Sequence, residues 1–172
     1  MKLEKIEEPT VLPVPLQSIK EYLKVLDDEQ DEQIELMAWS YLQHAENITN
    51  LTLKGVTTYK VTLNSLRKLS FPKNPLISVE KVEYQDIGGD LQLLNEGKYN
   101  VDNTTVPGTI EFLQVPPSTH VEVTFKAGYE TLPKEVELWL KVKVLEEFDK
   151  TPEAECSKHI DSMLNSLRII PV

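Results

Sequence analysis

The spacing at which apolar residues recur changes twice along this chain, and that change limits the fold more than any other feature. From about residue 16 to 50 they return every three to four positions, from about 56 to 127 every second position, and from 133 onward every three to four again. The first spacing puts apolar side chains on one stripe of a helix; the second puts them on one face of a strand. A β-rich segment is thus enclosed in sequence by helices. No helical pattern separates the strands, so the crossovers a parallel sheet needs are missing and antiparallel pairing follows. The expected fold class is α+β: an N-terminal helical pair, a central antiparallel β-meander, and C-terminal helices packing with the N-terminal ones.

Residues 1–15 hold Pro9, Pro13 and Pro15, show no period, and read as an extended N-terminal arm. Pro15 suits the first helical position of LQSIKEYLKVL, whose apolar face would be Ile19, Tyr22, Leu23 and Leu26. DDEQDEQ follows at 27–33, where carboxylates favour the free N–H groups of the next helix's first turn. That helix carries Ile34, Met37, Ala38, Tyr41, Leu42, Ala45 and Ile48 in one stripe and should fade near Asn50. Trp39 lies off the stripe.

Strands are expected at 58–63, 77–86, 91–102 (broken at Glu96-Gly97), 108–114 and 120–128, separated by proline and glycine turn signals. Val79, Val82 and Tyr84 break strict alternation, which predicts a bulge near Glu80-Lys81. Helix resumes at Pro133 and runs to about 148. Thr151-Pro152-Glu153 then reads as a capped start of the last helix, with Ile160, Met163, Leu164 and Leu167 on its apolar face and Ile169–Val172 as an apolar tail. The expected organisation is an arm at 1–15 and a main domain at 16–150, made of helices at 16–50 and 133–148 with a β-rich insertion at 56–128. A C-terminal helix and tail occupy 151–172.

Functional chemistry is sparse. The phosphate loop, the dinucleotide glycine motif, the hydrolase elbow and the HExxH motif are all missing. Cys156 is the single cysteine, so no internal disulfide forms. Cys156 and His159 have ligand spacing, but two ligands fall short of the three or four that zinc requires. No catalytic group, metal or cofactor is expected, and no apolar run approaches the 18 residues of a membrane span. The net charge of −10, from 28 acids against 18 bases, disfavours a protein that grips phosphates, because such affinity comes from cationic side chains. An acidic surface aids solubility, or keeps DNA from adhering.

The helix at 133–148 poses the main question. Val136, Leu138, Trp139, Leu140, Val142, Val144, Leu145 and Phe148 spread around most of its circumference, whereas a surface helix needs one apolar stripe. The surplus calls for a neighbour, in this chain or in another copy. Trp39 and Trp139 have two readings: core residues packing helix on helix, or anchors of an intersubunit contact.

Four phrases, in this order and spacing, carry a resemblance that covers the chain from about residue 12 to its end. They are LQSIKEYLKVLDDEQDEQIELMAWSYLQHAENIT, LSFPKNPLISVEKVEYQDIGGDLQLLNEGKYNVD, VEVTFKAGYETLPKEVELWLKVKVLEEF and IDSMLNSLRIIPV. Together they resemble the phage head–tail connector (adaptor) proteins of the gp6-like type, in the longer variant with a β-rich insertion. The resemblance implies a structural protein, not an enzyme, made in the host cytoplasm and located in the virion at the head–tail interface. It implies a ring of about a dozen copies beneath the portal protein, joined below to a tail or stopper protein. DNA would pass through the channel without specific binding, and no membrane is involved. On this reading Trp39, Trp139, Val142 and Phe148 are candidate subunit-interface residues, and Leu164, Leu167, Arg168 and Ile169 are candidate portal-binding residues. The rival readings are another neck or tail-completion protein, a DNA-mimic inhibitor, and an enzyme whose site one sequence does not reveal. The mimic would need carboxylates spaced like duplex phosphates, and here acids alternate with lysines.

Overall fold

The computed structural model describes residues 1–64, 68–114, 116–118, 120–149 and 155–169, with backbone only for 155–159. It is an α+β fold whose described residues form two compact units, one within 1–8 and 56–128, the other within 9–55 and 129–169.

Among the described residues the first unit is all β. Its strands are β1 (Lys2–Glu7), β2 (Thr57–Leu63), β3 (Lys68–Ser70), β4 (Leu76–Gln85), β5 (Leu91–Leu93), β6 (Tyr99–Asp102), β7 (Thr109–Phe112) and β8 (His120–Ala127), with a 3-10 turn at Glu96–Lys98. One sheet has the order β1-β2-β8-β4-β5 and the other β3-β7-β6, and every pairing is antiparallel. The order is not that of a sequential meander. β8, the last strand made, lies between β2 and β4, because its inward side chains Val121, Val123, Phe125 and Ala127 are all buried and need apolar partners on both flanks. Phe125 stacks on Tyr59 at 5.6 Å and meets Phe71 at a tilt at 4.6 Å between ring centroids.

The segment read as an unpatterned arm supplies β1, which pairs with β2 through Lys2↔Thr62 to Glu7↔Thr58. The period test passes over it because Leu3 and Ile6 are partly exposed and its remaining side chains are charged. The expected bulge is present: the β4–β8 register shifts between Val79 and Lys81, which turns both Val79 and Val82 toward the core.

The second unit is helical: α1 (Leu16–Leu23), α2 (Asp31–Thr49), α3 (Lys134–Asp149) and α4 (Glu155–Ser166). α1 ends earlier than its apolar spacing suggests. Lys24 turns left-handed at φ 61°, which leaves Leu26 outside the helix and 97% exposed, and Tyr22 within it is 40% exposed. α2 buries Ile34, Ala38, Leu42 and Ala45 as expected and stops at Asn50, also left-handed at φ 60°. α3 contacts α1, α2 and α4. That is where most of its all-round apolar surface goes. Val136, Trp139, Leu140 and Val144 are buried, Val142, Leu145 and Phe148 pack half-buried on the same core, and Leu138 is left 42% exposed.

In the β unit, Gly108 sits where no side chain fits. A Cβ there would lie 2.6 Å from the Leu76 Cβ and 3.3 Å from the Asp102 carbonyl. Its N–H donates to the buried Asn74 Oδ1 (3.0 Å) and its carbonyl accepts from Phe71 N–H (2.8 Å). Gly108→Ala is therefore expected to destabilise the protein by about 1–3 kcal/mol, the usual cost of overpacking, as read by denaturant unfolding of the purified variant.

Candidate interaction surfaces

Charged groups inside the helical unit fix which surfaces remain outside. Lys20 of α1 is buried, and its Nζ reaches Asp28 (2.5 Å) and Asp31 (2.6 Å). The acidic run 27–33 is thereby tied back to α1 instead of floating in solvent. Hydrogen bonds to Asp28 and Asp31 raise the Lys20 pKa above its ordinary value, and the same lysine lowers that of Asp28. Glu46, also buried, accepts N–H bonds from Leu53 (2.7 Å) and Lys54 (3.1 Å), which holds the chain as it leaves α2.

Lys143 of α3 is buried, with Asp161 of α4 at 3.0 Å and Glu146 at 3.3 Å. The other Asp161 oxygen accepts from Trp139 Nε1 at 2.8 Å. Burial works against the Lys143 charge, but Asp161 and Glu146 outweigh it, so its pKa is raised. The Trp139 ring meets Tyr41 edge-on at 6.0 Å.

These contacts sort the residues singled out from the sequence. Trp139 is 1% exposed and Leu164 3%, so each spends its surface within its own unit and presents almost none to a partner. Of the two readings for the tryptophans, Trp139 fits the core one. Trp39 is half-exposed on the outer side of α2, with Lys54 Nζ 5.9 Å from its ring centroid. Val142 and Phe148 are half-buried on α3. Leu167 and Ile169 pack half-buried on the helical core, and Arg168 is exposed. Ile169 N–H donates to Thr49 O (2.8 Å) and its carbonyl accepts from Asn50 Nδ2 (2.9 Å), which fastens the segment after α4 to the end of α2. The Thr151-Pro152 cap, the Cys156 and His159 side chains and the tail beyond Ile169 lie outside the described residues.

Sequence reasoning passed over Leu36, 71% exposed on α2. The signal was there: Leu36 and Trp39 are both off the buried stripe and three apart, which makes them neighbours on the outer face. It also passed over the edge strand β5, where Leu91 is 54% and Leu93 71% exposed. The outward face of the five-stranded sheet is otherwise a charged lattice, with Lys60–Glu122 (3.0 Å), Lys81–Glu83 (2.8 Å) and Lys126–Glu80 (3.4 Å). Among the described residues no three His, Cys, Asp or Glu side chains are grouped to hold a metal, and no helix is long and apolar enough to cross a membrane.

Two outcomes follow. Lys143→Met keeps the volume but removes the tie between α3 and α4. Asp161, 38% exposed, can regain water, so the expected loss is about 1–2 kcal/mol in denaturant unfolding. The pH dependence has two limits. Glu137 is lowered below 4.5 by Lys134 and then Lys141, so its contribution is present above 4.5 and lost as pH falls through the folded value. Lys143 is raised above 10.5, so its contribution is present below 10.5 and lost as pH rises through the folded value. Melting followed by circular dichroism should therefore show a plateau across neutral pH that falls off at both ends.

No family model and no curated protein matches this chain. Solved structures do. A chain from the neck of an empty gene transfer agent (GTA) particle computed with C6 symmetry aligns with a TM-score of 0.81 at 14% identity, over 100% of this chain and 97% of that one. A chain from the virion of a native GTA particle aligns with a TM-score of 0.79 at 16% identity, with the same coverage. A third, from the neck of a native GTA particle computed with C12 symmetry, gives 0.71 at 16% identity, again over 100% and 97%. At such identities the likeness is one of fold.

Proposed function

We propose that this protein is a structural subunit of the neck that joins head to tail in a tailed phage or a phage-like particle. One observation carries the reading. The whole chain, both units included, aligns at a TM-score of 0.81 with nearly the whole of a chain from a GTA neck. A shared domain would give partial coverage, whereas here neither chain has a large segment left over.

The finer reading is the adaptor: a ring of about a dozen copies beneath the portal, extending the DNA channel and meeting a tail or stopper protein below. It draws on the order of motifs in the sequence and on the cyclic symmetries, C6 and C12, of the neck particles to which the chain is similar. A net charge of −10 suits a wall that DNA slides past, because acids outnumber the bases that would grip its phosphates. Val142, Phe148 and Trp39 are the subunit contacts in this reading, and Leu167, Arg168 and Ile169 face the portal. Trp139 and Leu164 act behind them, as the core that holds α3 and α4 in place. A tail-completion protein would share the neck location but not the portal contact.

Light scattering of the protein alone and mixed with the portal protein of the same particle tests both levels. A ring alone, or a portal complex holding many copies, is the expected result. Arg168→Glu should weaken portal binding tenfold or more, since Arg168 is exposed and its removal leaves the core intact. A monomer that ignores the portal at high concentration overturns the adaptor reading.

A further inference from the structure

The five-stranded sheet has two outer strands, and they are built differently. β1, at one edge, reads KLEKIE, with four of its six residues charged, a usual protection of an edge against pairing with another chain. β5, at the other, is Leu91-Gln92-Leu93, and all three residues are exposed. Among the described residues no strand pairs with its far side. Leu93 lies opposite Glu83 and Leu91 opposite Gln85, so both leucines stand on the outer, charged face of the sheet, with Ile87 80% exposed in the turn beside them.

The backbone of β5 completes the picture. Asp86 N–H donates to the Asp90 carbonyl (3.0 Å) and Leu94 N–H to the Val82 carbonyl (2.8 Å). Opposed residues of an antiparallel pair alternate between exchanging both backbone bonds and exchanging none. Asp86–Asp90 and Val82–Leu94 are of the bonded kind, and in this register so is Tyr84–Gln92 between them. Leu91 and Leu93 are of the other kind. Their N–H and C=O groups therefore point away from β4, toward the open edge. The charge around that edge is one-sided. Residues 83–98 hold Glu83, Asp86, Asp90 and Glu96 against the single base Lys98. Only Glu83 of these acids is in an ion pair among the described residues, with Lys81 at 2.8 Å.

We infer that β5 accepts a sixth, antiparallel strand from a different protein: a short extended segment with aliphatic residues at alternate positions and lysines or arginines at its ends. Main-chain bonds to Leu91 and Leu93 hold such a strand, and the side chains at alternate positions give the choice of partner. Its aliphatic residues lie on the outer face against the two leucines, and its basic ends meet Asp90 on one side and Glu96 on the other. A second copy fits poorly. Its β1 sets Lys2 and Glu4 on the outer face, opposite Thr62 and Lys60, where aliphatic side chains are wanted. Its β5 brings a second set of carboxylates to the same edge. The inference goes beyond the neck reading and stands or falls separately from it.

The probe is a synthetic nine-residue peptide, labelled and amidated, in which valines alternate with threonines and a lysine stands at each end. We expect saturable binding by fluorescence anisotropy, with slowed amide exchange at Leu91 and Leu93 in the full-length protein. Leu91→Ser/Leu93→Ser, at two exposed positions, should weaken binding tenfold or more and leave the melting temperature unchanged. Leu93→Pro should do the same, because the N–H it removes faces outward, where an edge strand tolerates proline. The peptide itself supplies a test that does not depend on folding of a variant. A valine opposite Leu91 or Leu93 turns its N–H toward β5, so N-methylation of the valines should abolish binding and N-methylation of the threonines should not. If both methylated peptides bind alike, the contact is not a strand pairing and the inference is refuted. Absence of saturable binding refutes it too. So does a concentration-dependent protection of the Leu91 and Leu93 amides in the protein alone that the peptide cannot displace, because a second copy is then the occupant. Failure of the peptide leaves portal binding untouched, so the two readings are tested apart.

Discussion

The β unit depends on a strand made last. β8 pairs with β2 on one side and β4 on the other, so the sheet has no centre until residues 120–127 exist. Without it, Tyr59, Val61 and Leu63 of β2 and Val82 of β4 have no shared apolar partner, and the charged outer lattice loses Glu122 and Lys126. The bulge at Val79–Lys81 and the glycine at 108 serve the same core. The first rotates β4 so that Val79 and Val82 both turn inward, and the second lets β7 start against Leu76. Such pairing across long stretches of sequence is slow to form, since loop closure must precede the contacts that reward it.

In the helical unit the corresponding constraint is α3, packed against three other helices. A helix in that position cannot be amphipathic in the ordinary sense, which is why its sequence looks apolar on nearly every side. Its charged residues are accommodated by pairing. Lys141 meets Glu137 at 2.8 Å and donates to Ser18 Oγ of α1 at 2.7 Å, while Lys143 meets Asp161 of α4. Asp161 is 38% exposed, so breaking its pair with Lys143 leaves a carboxylate that water can still reach. The lysines thus stabilise α3 modestly while linking it to α1 and α4.

How much of this was legible can be argued residue by residue. The helix at 31–49 and the strands at 57–63 and 120–127 show their period, because burial acts on one side of each, whereas the helix at 134–149 was marked by Pro133 at its start. β1 did not, since an edge strand with charged side chains has little buried face to impose a period. The strand order did not either: nothing local in residues 57–63 says that they pair with 121–127 rather than with the next strand in sequence. Leu26 illustrates the opposite error. It continues the apolar spacing of α1, yet Lys24 ends the helix first, and a left-handed lysine leaves no mark in composition. On the surfaces, Trp39 was legible because it fell off the stripe, and Trp139 was ambiguous because α3 has no single stripe to fall off.

The relation between fold and surface sets what can be said of partners. At 14% identity over the full length, most side chains differ from those of the neck chain, yet the backbone follows it at a TM-score of 0.81. Apolar positions tolerate exchange provided volume and pattern are kept, so a fold survives such divergence while its exposed residues do not. Recognition must then be read from this chain's own exterior. That exterior is uneven: the outer sheet face neutralises its lysines and glutamates pairwise, whereas on α2 the exposed Leu36 and half-buried Trp39 stand beside Glu32 and Glu35.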